Sequence, residues 1–121
     1  MARLASTWLP PLVWMALIFA FSSLHGGGHL PAAEVVLRKL AHVGGYLVLT
    51  ILLVRALQRS DVAAAVPVAI VLALAYAISD EWHQSFVPGR TATARDVAVD
   101  GLGIALAALA ATRAALRRRM A

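Results

Sequence analysis

From Leu4 to Leu24 the chain carries no charged side chain. As an α-helix such a run is about 30 Å long at ~1.5 Å per residue, the thickness of a bilayer's hydrocarbon core. Three more apolar stretches follow, Leu40 to Val54, Val62 to Ser79 and Val97 to Thr112. The second has His42 as its one chargeable group and gains length if Arg38, Lys39 and Arg55 snorkel to the two interfaces. The third is uncharged, and the fourth carries Asp100 near its start. Pro10 and Pro11 fall near the start of the first stretch and Pro67 in the first turns of the third, where a missing N–H costs little. The 121 residues are 61% hydrophobic and 14% charged. A soluble domain this small cannot hide that much apolar surface, so lipid is the solvent the chain requires. The expected architecture is all-α: an integral membrane bundle of four transmembrane helices, one domain over residues 1–121.

The first stretch is longer than a secretory h-region, and Phe21-Ser22-Ser23-Leu24 is a poor cleavage site, so it is expected to remain as a span. Even-numbered spans place both termini on one side. That side would hold Arg3, Arg55, Arg59, Arg113, Arg117, Arg118 and Arg119, and the other Arg38, Lys39, Arg90 and Arg95. Seven cations against four favour cytoplasmic termini and a multi-pass protein of the bacterial inner membrane. The net charge of +5 does not signal nucleic acid: Arg117 to Arg119 directly follow an apolar segment, which suits anionic headgroups. With no cysteine, disulfides and thiolate sites are excluded. The turn Gln58 to Asp61 is short, so the second and third spans should be antiparallel neighbours. His25-Gly-Gly-Gly-His29 is flexible by composition.

This orientation puts nearly all the chemistry on the outer side. Lys39, His42 and Tyr46 lie at i, i+3 and i+7, one stripe of a helix running inward from the interface. A cation, an imidazole and a phenol facing one way can hold a phosphate or carboxylate headgroup; the plainer alternative is a snorkelling Lys, a packed Tyr and a His bonded to a neighbour. Asp80-Glu81-Trp82-His83-Gln84 follows the third span. On a continuing helix Asp80, His83 and Gln84 share a face and Glu81 points elsewhere, with Trp82 as an interfacial anchor. An acid, an imidazole and an amide serve acid–base chemistry or bind a hard cation. Val87-Pro88-Gly89-Arg90 is a turn signal that returns Arg90 to the mouth of the bundle, to clamp a phosphate or to pair with Asp80 or Glu81. Asp96 and Asp100 at i, i+4 put two carboxylates on one helix face, an arrangement suited to a divalent cation. Asp100 lies one turn inside an apolar helix, where an unpartnered carboxylate is costly, so Lys39, His42 or Arg90 should pair with it. Gly44 and Gly45, with Gly101, Gly103 and the alanines that follow, read as close helix packing.

These residues resemble the VanZ-like family, named for a teicoplanin-resistance protein. The signature is Lys39-x-x-His42-x-x-x-Tyr46, Ser79-Asp80-Glu81-x-His83-Gln84, Pro88-Gly89-Arg90, then Asp96 and Asp100-x-x-Gly103, with Phe21-Ser22-Ser23 closing the first span. It covers nearly the whole chain. Leu24 stands where the family often has Gln, and Asp100 where it often has Asn. The resemblance implies a multi-helix membrane protein of the cell envelope, linked in some members to reduced glycopeptide susceptibility and thus to antibiotic resistance; it implies no reaction.

Two functions fit the pattern. In the enzymatic one, Asp80, Glu81, His83 and His42 are acid–base groups, Lys39, Tyr46, Gln84 and Arg90 bind a lipid or lipid-linked wall precursor, and Asp96 and Asp100 hold a divalent cation. In the other, the same residues neutralise one another in a binding or accessory protein. Either way, the Lys39–Tyr46 stripe and the Asp80–Gln84 block should face each other across a single outward-opening pocket.

Overall fold

The computed structural model describes residues 1–24 and 29–121, so the expectation for His25 to Gly28 lies outside the described residues. Four helices make up the described chain: α1 (Ala2–Ser22), α2 (Ala32–Arg59), α3 (Ala65–Gln84) and α4 (Ala94–Met120). All four are long and apolar enough to cross a membrane. Only helices that satisfy their own backbone groups, or closed barrels, are tolerated in hydrocarbon, which is why the four apolar stretches become four helices. They run up, down, up and down. α2 packs against all three others, most extensively against α4, while α1 and α4 occupy opposite corners. Charged or polar ends extend the helices past the apolar stretches. α2 alone is about 42 Å long at ~1.5 Å per residue, more than the ~30 Å hydrocarbon layer. The excess leaves room for the charged residues at both of its ends, Arg38 and Lys39 at one and Arg55 and Arg59 at the other, to lie at the interfaces.

Pro10 and Pro11 differ from expectation. α1 begins at Ala2, so both prolines lie inside the helix rather than in its first turn. They remove two amide donors there. In a regular helix those donors would bond the Ser6 and Thr7 carbonyls; the hydroxyls of Thr7 and Ser6 donate to a different carbonyl, that of Arg3, at 2.8 and 3.0 Å. Helices in lipid accept such prolines when local side chains and neighbouring helices satisfy the chain.

The core runs along one face of α2 (Tyr46, Leu49, Leu53, Val54, Leu57), meets Ile104 of α4, and is lined on α3 by Ala65, Ala69, Ala73 and Ala77. The alanines recur every fourth residue and let α3 approach closely. The α2–α3 turn is a Schellman motif: Val62 N–H bonds the Leu57 carbonyl at 3.0 Å and Asp61 N–H the Gln58 carbonyl at 3.2 Å. Asp61 takes the left-handed position that closes it, with φ 58°. α2 and α4 touch most closely at Gly103, where a Cβ would collide with the Val43 carbonyl and stand 3.0 Å from Leu47 N. That contact lies directly beneath His42 and Asp100.

Candidate functional site

The polar side chains gather at the end of the bundle opposite the two termini. α2 supplies His42 and Tyr46, α3 Asp80, Glu81 and Gln84, α4 Asp100, and α1 Ser22, each at the point where its apolar seam ends. Asp80 is 3% exposed. Its Oδ2 accepts three hydrogen bonds, from Ser22 Oγ at 2.9 Å, Gln84 Nε2 at 3.1 Å and Tyr46 OH at 3.3 Å. Three helices are thereby tied to one carboxylate oxygen.

Asp100 is fully buried and engages His42: Oδ1 stands 2.9 Å from His42 Nδ1. Of the three partners the sequence allowed, it is the imidazole. A carboxylate at Nδ1 fixes the ring's orientation and leaves Nε2 for other business. His42 is about a quarter exposed, and no hydrogen bond engages its Nε2 among the described residues. Three buried carboxylate oxygens, Asp80 Oδ1, Glu81 Oε2 and Asp100 Oδ2, have no hydrogen-bond partner among the described residues. Buried polar atoms are nearly always paired, so three unpaired oxygens in one cluster single out this end of the bundle as the candidate site.

Glu81 does not point away. It is buried, and its Oε1 accepts the Thr93 N–H at 2.7 Å. Thr93 is the N-cap of α4, and its hydroxyl donates to Asp96 Oδ2 at 2.8 Å. Glu81 thus fastens the start of α4 to α3 through an otherwise orphan helix N-terminus. His83, expected beside Asp80 and Gln84, turns to α1 instead: its ring stacks on Phe19 with centroids 4.3 Å apart, and Nε2 lies 3.0 Å from Ser23 Oγ. Trp82 is exposed at this end with Phe86 edge-on to it.

Arg90 forms no ion pair with Asp80 or Glu81, against one of the two expectations. Its Nη1 donates to Gln84 Oε1 at 3.1 Å, while Nε and Nη2 donate to the Leu24 and Phe21 carbonyls at 3.2 and 3.4 Å. The carbonyls at the negative end of α1 are favourable partners for a cation, and the guanidinium lies against two of them. Burial, with Arg38 nearby, draws its pKa down, but a guanidinium remains cationic. Gln84 relays this cation to Asp80.

A cavity of about 540 Å³ opens at this end, lined among others by Arg38, Lys39, His42, Gln84, Arg90 and Asp96. Of the α2 stripe Lys39 and His42 line this space and of the α3 block Gln84 does; Asp80 and Glu81 are not among its walls, and Tyr46 bonds Asp80 away from it. His83 is not among its walls. Arg38 pairs with Glu34 at 3.3 Å; Lys39 makes no ion pair among the described residues. No group of three or more His, Asp and Glu side chains converges to hold a metal among the described residues. Asp96 lies on the wall and Asp100 behind it.

In the sequence Ser22 and Ser23 read only as a helix ending, and nothing there marks Thr93 or Trp14, whose Nε1 donates to the Gly45 carbonyl at 2.8 Å. One available signal was the alanine series of α3: counting on by four from Ala77 gives Glu81, which places that carboxylate on the buried seam.

The family model described as VanZ/LLP1 matches residues 7–116, which include every residue of this site. No curated protein and no solved structure matches the chain.

Proposed function

This chain belongs to the VanZ/LLP1 family, and we propose that it is a bacterial inner-membrane protein that binds the phosphate-bearing headgroup of a lipid or lipid-linked cell-envelope precursor at the outer membrane face. The excess of arginine at the terminal end supports cytoplasmic termini, which turns the cavity outward. The observation that carries the reading is His42 on the cavity wall, backed by fully buried Asp100 and flanked by Lys39 and Arg38. A carboxylate-oriented imidazole beside Lys39, which makes no ion pair among the described residues, and two arginines is the composition of a site that moves a proton on a bound anion.

In this reading Lys39, Arg38 and Arg90 hold the phosphate and His42 is the proton carrier, with Asp100 as its positioning residue. Asp80, Tyr46 and Gln84 hold the floor, Glu81 fixes the α4 entrance, and His83 anchors α1. A magnesium ion arriving with the phosphate would take few protein ligands, as that ion commonly does; Asp96, on the cavity wall, is the carboxylate placed to supply one, whereas Asp100 is buried behind it.

The test compares membrane lipids and lipid-linked wall precursors by mass spectrometry in cells making the wild type, His42→Gln or neither, at matched membrane levels. A species altered only by the wild type supports turnover and gives its class. No change, with both proteins folded, leaves binding without turnover. That second reading, a non-catalytic binding or accessory protein, is favoured by one observation: Asp80 Oδ2 already has three internal donors. A change in teicoplanin susceptibility in the same strains would test the resistance link.

A further inference from the structure

A second cavity, about 600 Å³, lies between α1 and α2 and is lined chiefly by apolar atoms of Leu17, Ile18, Phe21, Gly44, Gly45 and Val48. Its volume falls within the range of ordinary ligand sites. Three side chains belong to both cavities: Arg38, His42 and Arg90. The polar pocket and the apolar groove therefore meet at a ring of two guanidiniums and an imidazole. We infer that the site takes an amphiphile in two parts, its phosphate in the polar pocket and one hydrocarbon chain laid down the α1–α2 groove. This deepens the reading of the pocket as a phosphate site and rests on it.

The dimensions specify the occupant. Along α2 the groove extends from Arg38 to Val48, about 15 Å at ~1.5 Å per residue. That is half of the ~30 Å hydrocarbon layer, the depth of one leaflet. An occupant must be apolar over that depth and anionic where the cations stand. A phosphate-bearing lipid of the leaflet that the pocket faces satisfies both conditions; an apolar helix of a second copy would bring no anion to the ring.

The groove is open because of its glycines. A Cβ at Gly44 would meet nothing within 4 Å, and one at Gly45 only Ile18 Cγ1 at 4.0 Å. Nothing in helix packing requires Gly44 to be small, and Gly is a poor helix former. The space beside it is where the chain lies. At the deep end Trp14 crosses to the Gly45 carbonyl and ties the two helices together.

The test uses the full chain in phosphatidylcholine nanodiscs containing a minor fraction of phosphatidic acid with a diazirine midway along one acyl chain. After irradiation, label is expected at Leu17, Ile18 and Val48 in preference to Val71 and Ile78, which are exposed on α3. Gly44→Leu should reduce groove label about tenfold, the loss expected when a couple of methylenes are expelled from an apolar contact. Phosphatidylcholine bearing the same diazirine, whose phosphate is neutralised by its own choline and so brings no net anion to the ring, should show no groove preference. Even labelling of α1, α2 and α3 that Gly44→Leu leaves unchanged would mean ordinary surrounding lipid and overturn the inference. Chain-to-chain cross-links at the groove would mean a second copy and overturn it equally. Calorimetry with glycerol 3-phosphate in detergent separates the two levels. Binding by wild type and Gly44→Leu alike, with the groove unlabelled, removes the chain site and leaves the pocket. No binding to the wild type removes the phosphate pocket and the inference with it.

Discussion

His42 on α2 is held to Asp100 on α4 by a 2.9 Å bond from Nδ1 to a carboxylate that no solvent reaches. Removing one partner leaves a buried, uncompensated group. His42→Ala should cost about 3 kcal/mol of stability, since an orphaned buried charge is among the most costly defects. Adding Asp100→Leu to it should restore most of that loss, because the charge is then gone as well. Thermal unfolding in detergent, run as a double-mutant cycle, measures the coupling. Additive losses would mean that the two side chains act independently.

Gly103 sets how closely α2 and α4 approach beneath that pair. Gly103→Ala pushes a methyl group at the Val43 carbonyl, backbone that cannot swing aside. A stability loss of about 3 kcal/mol is expected, the upper part of the usual overpacking range. Gly101→Ala, two residues away with nothing within 4 Å of a new Cβ, should be neutral or stabilising by up to ~1 kcal/mol from helix propensity. Equal behaviour of the two variants in a thermal melt would refute the close approach.

Arg90 closes the distal end by gripping two α1 carbonyls and Gln84. The grip depends on a planar fork of donors, which an ammonium does not reproduce. Arg90→Lys should therefore lose about 1.5–3 kcal/mol, nearly as much as Arg90→Ala, as charged hydrogen bonds are broken. Protease cleavage after the α1 terminus should rise in both. Full rescue by lysine would show that charge alone is what matters there.

Asp61 sits in the left-handed position of the α2–α3 turn. Asp61→Gly should be neutral or slightly stabilising, while Asp61→Val should cost about 1–2 kcal/mol through Cβ crowding. Chemical denaturation of the detergent-solubilised protein would rank the three; a valine variant as stable as the wild type would contradict the turn.

Four membrane helices were legible in the chain itself. A bilayer leaves so few backbone solutions that a charge-free run of the right length is already a helix. The Lys39–His42–Tyr46 stripe was legible too, since the period of one helix fixes which of its own residues share a face. The short turn at Asp61 made α2 and α3 antiparallel neighbours, as found.

Partnerships between helices were not legible, because they depend on crossing angles and rotations that no local period encodes. That is why Asp100 could be given three candidate partners and the structure selects His42, why His83 leaves its expected face to stack on Phe19, and why Arg90 binds carbonyls instead of carboxylates. Pro10 and Pro11 were placed too early because the end of a hydrophobic run is not the end of a helix. The sequence by itself determined the number of spans, their order and the chemistry available at one end of the bundle. Tertiary structure alone decided which groups meet, since a glycine at 103 and a row of alanines on α3 set the distances at which the four helices bring those groups together.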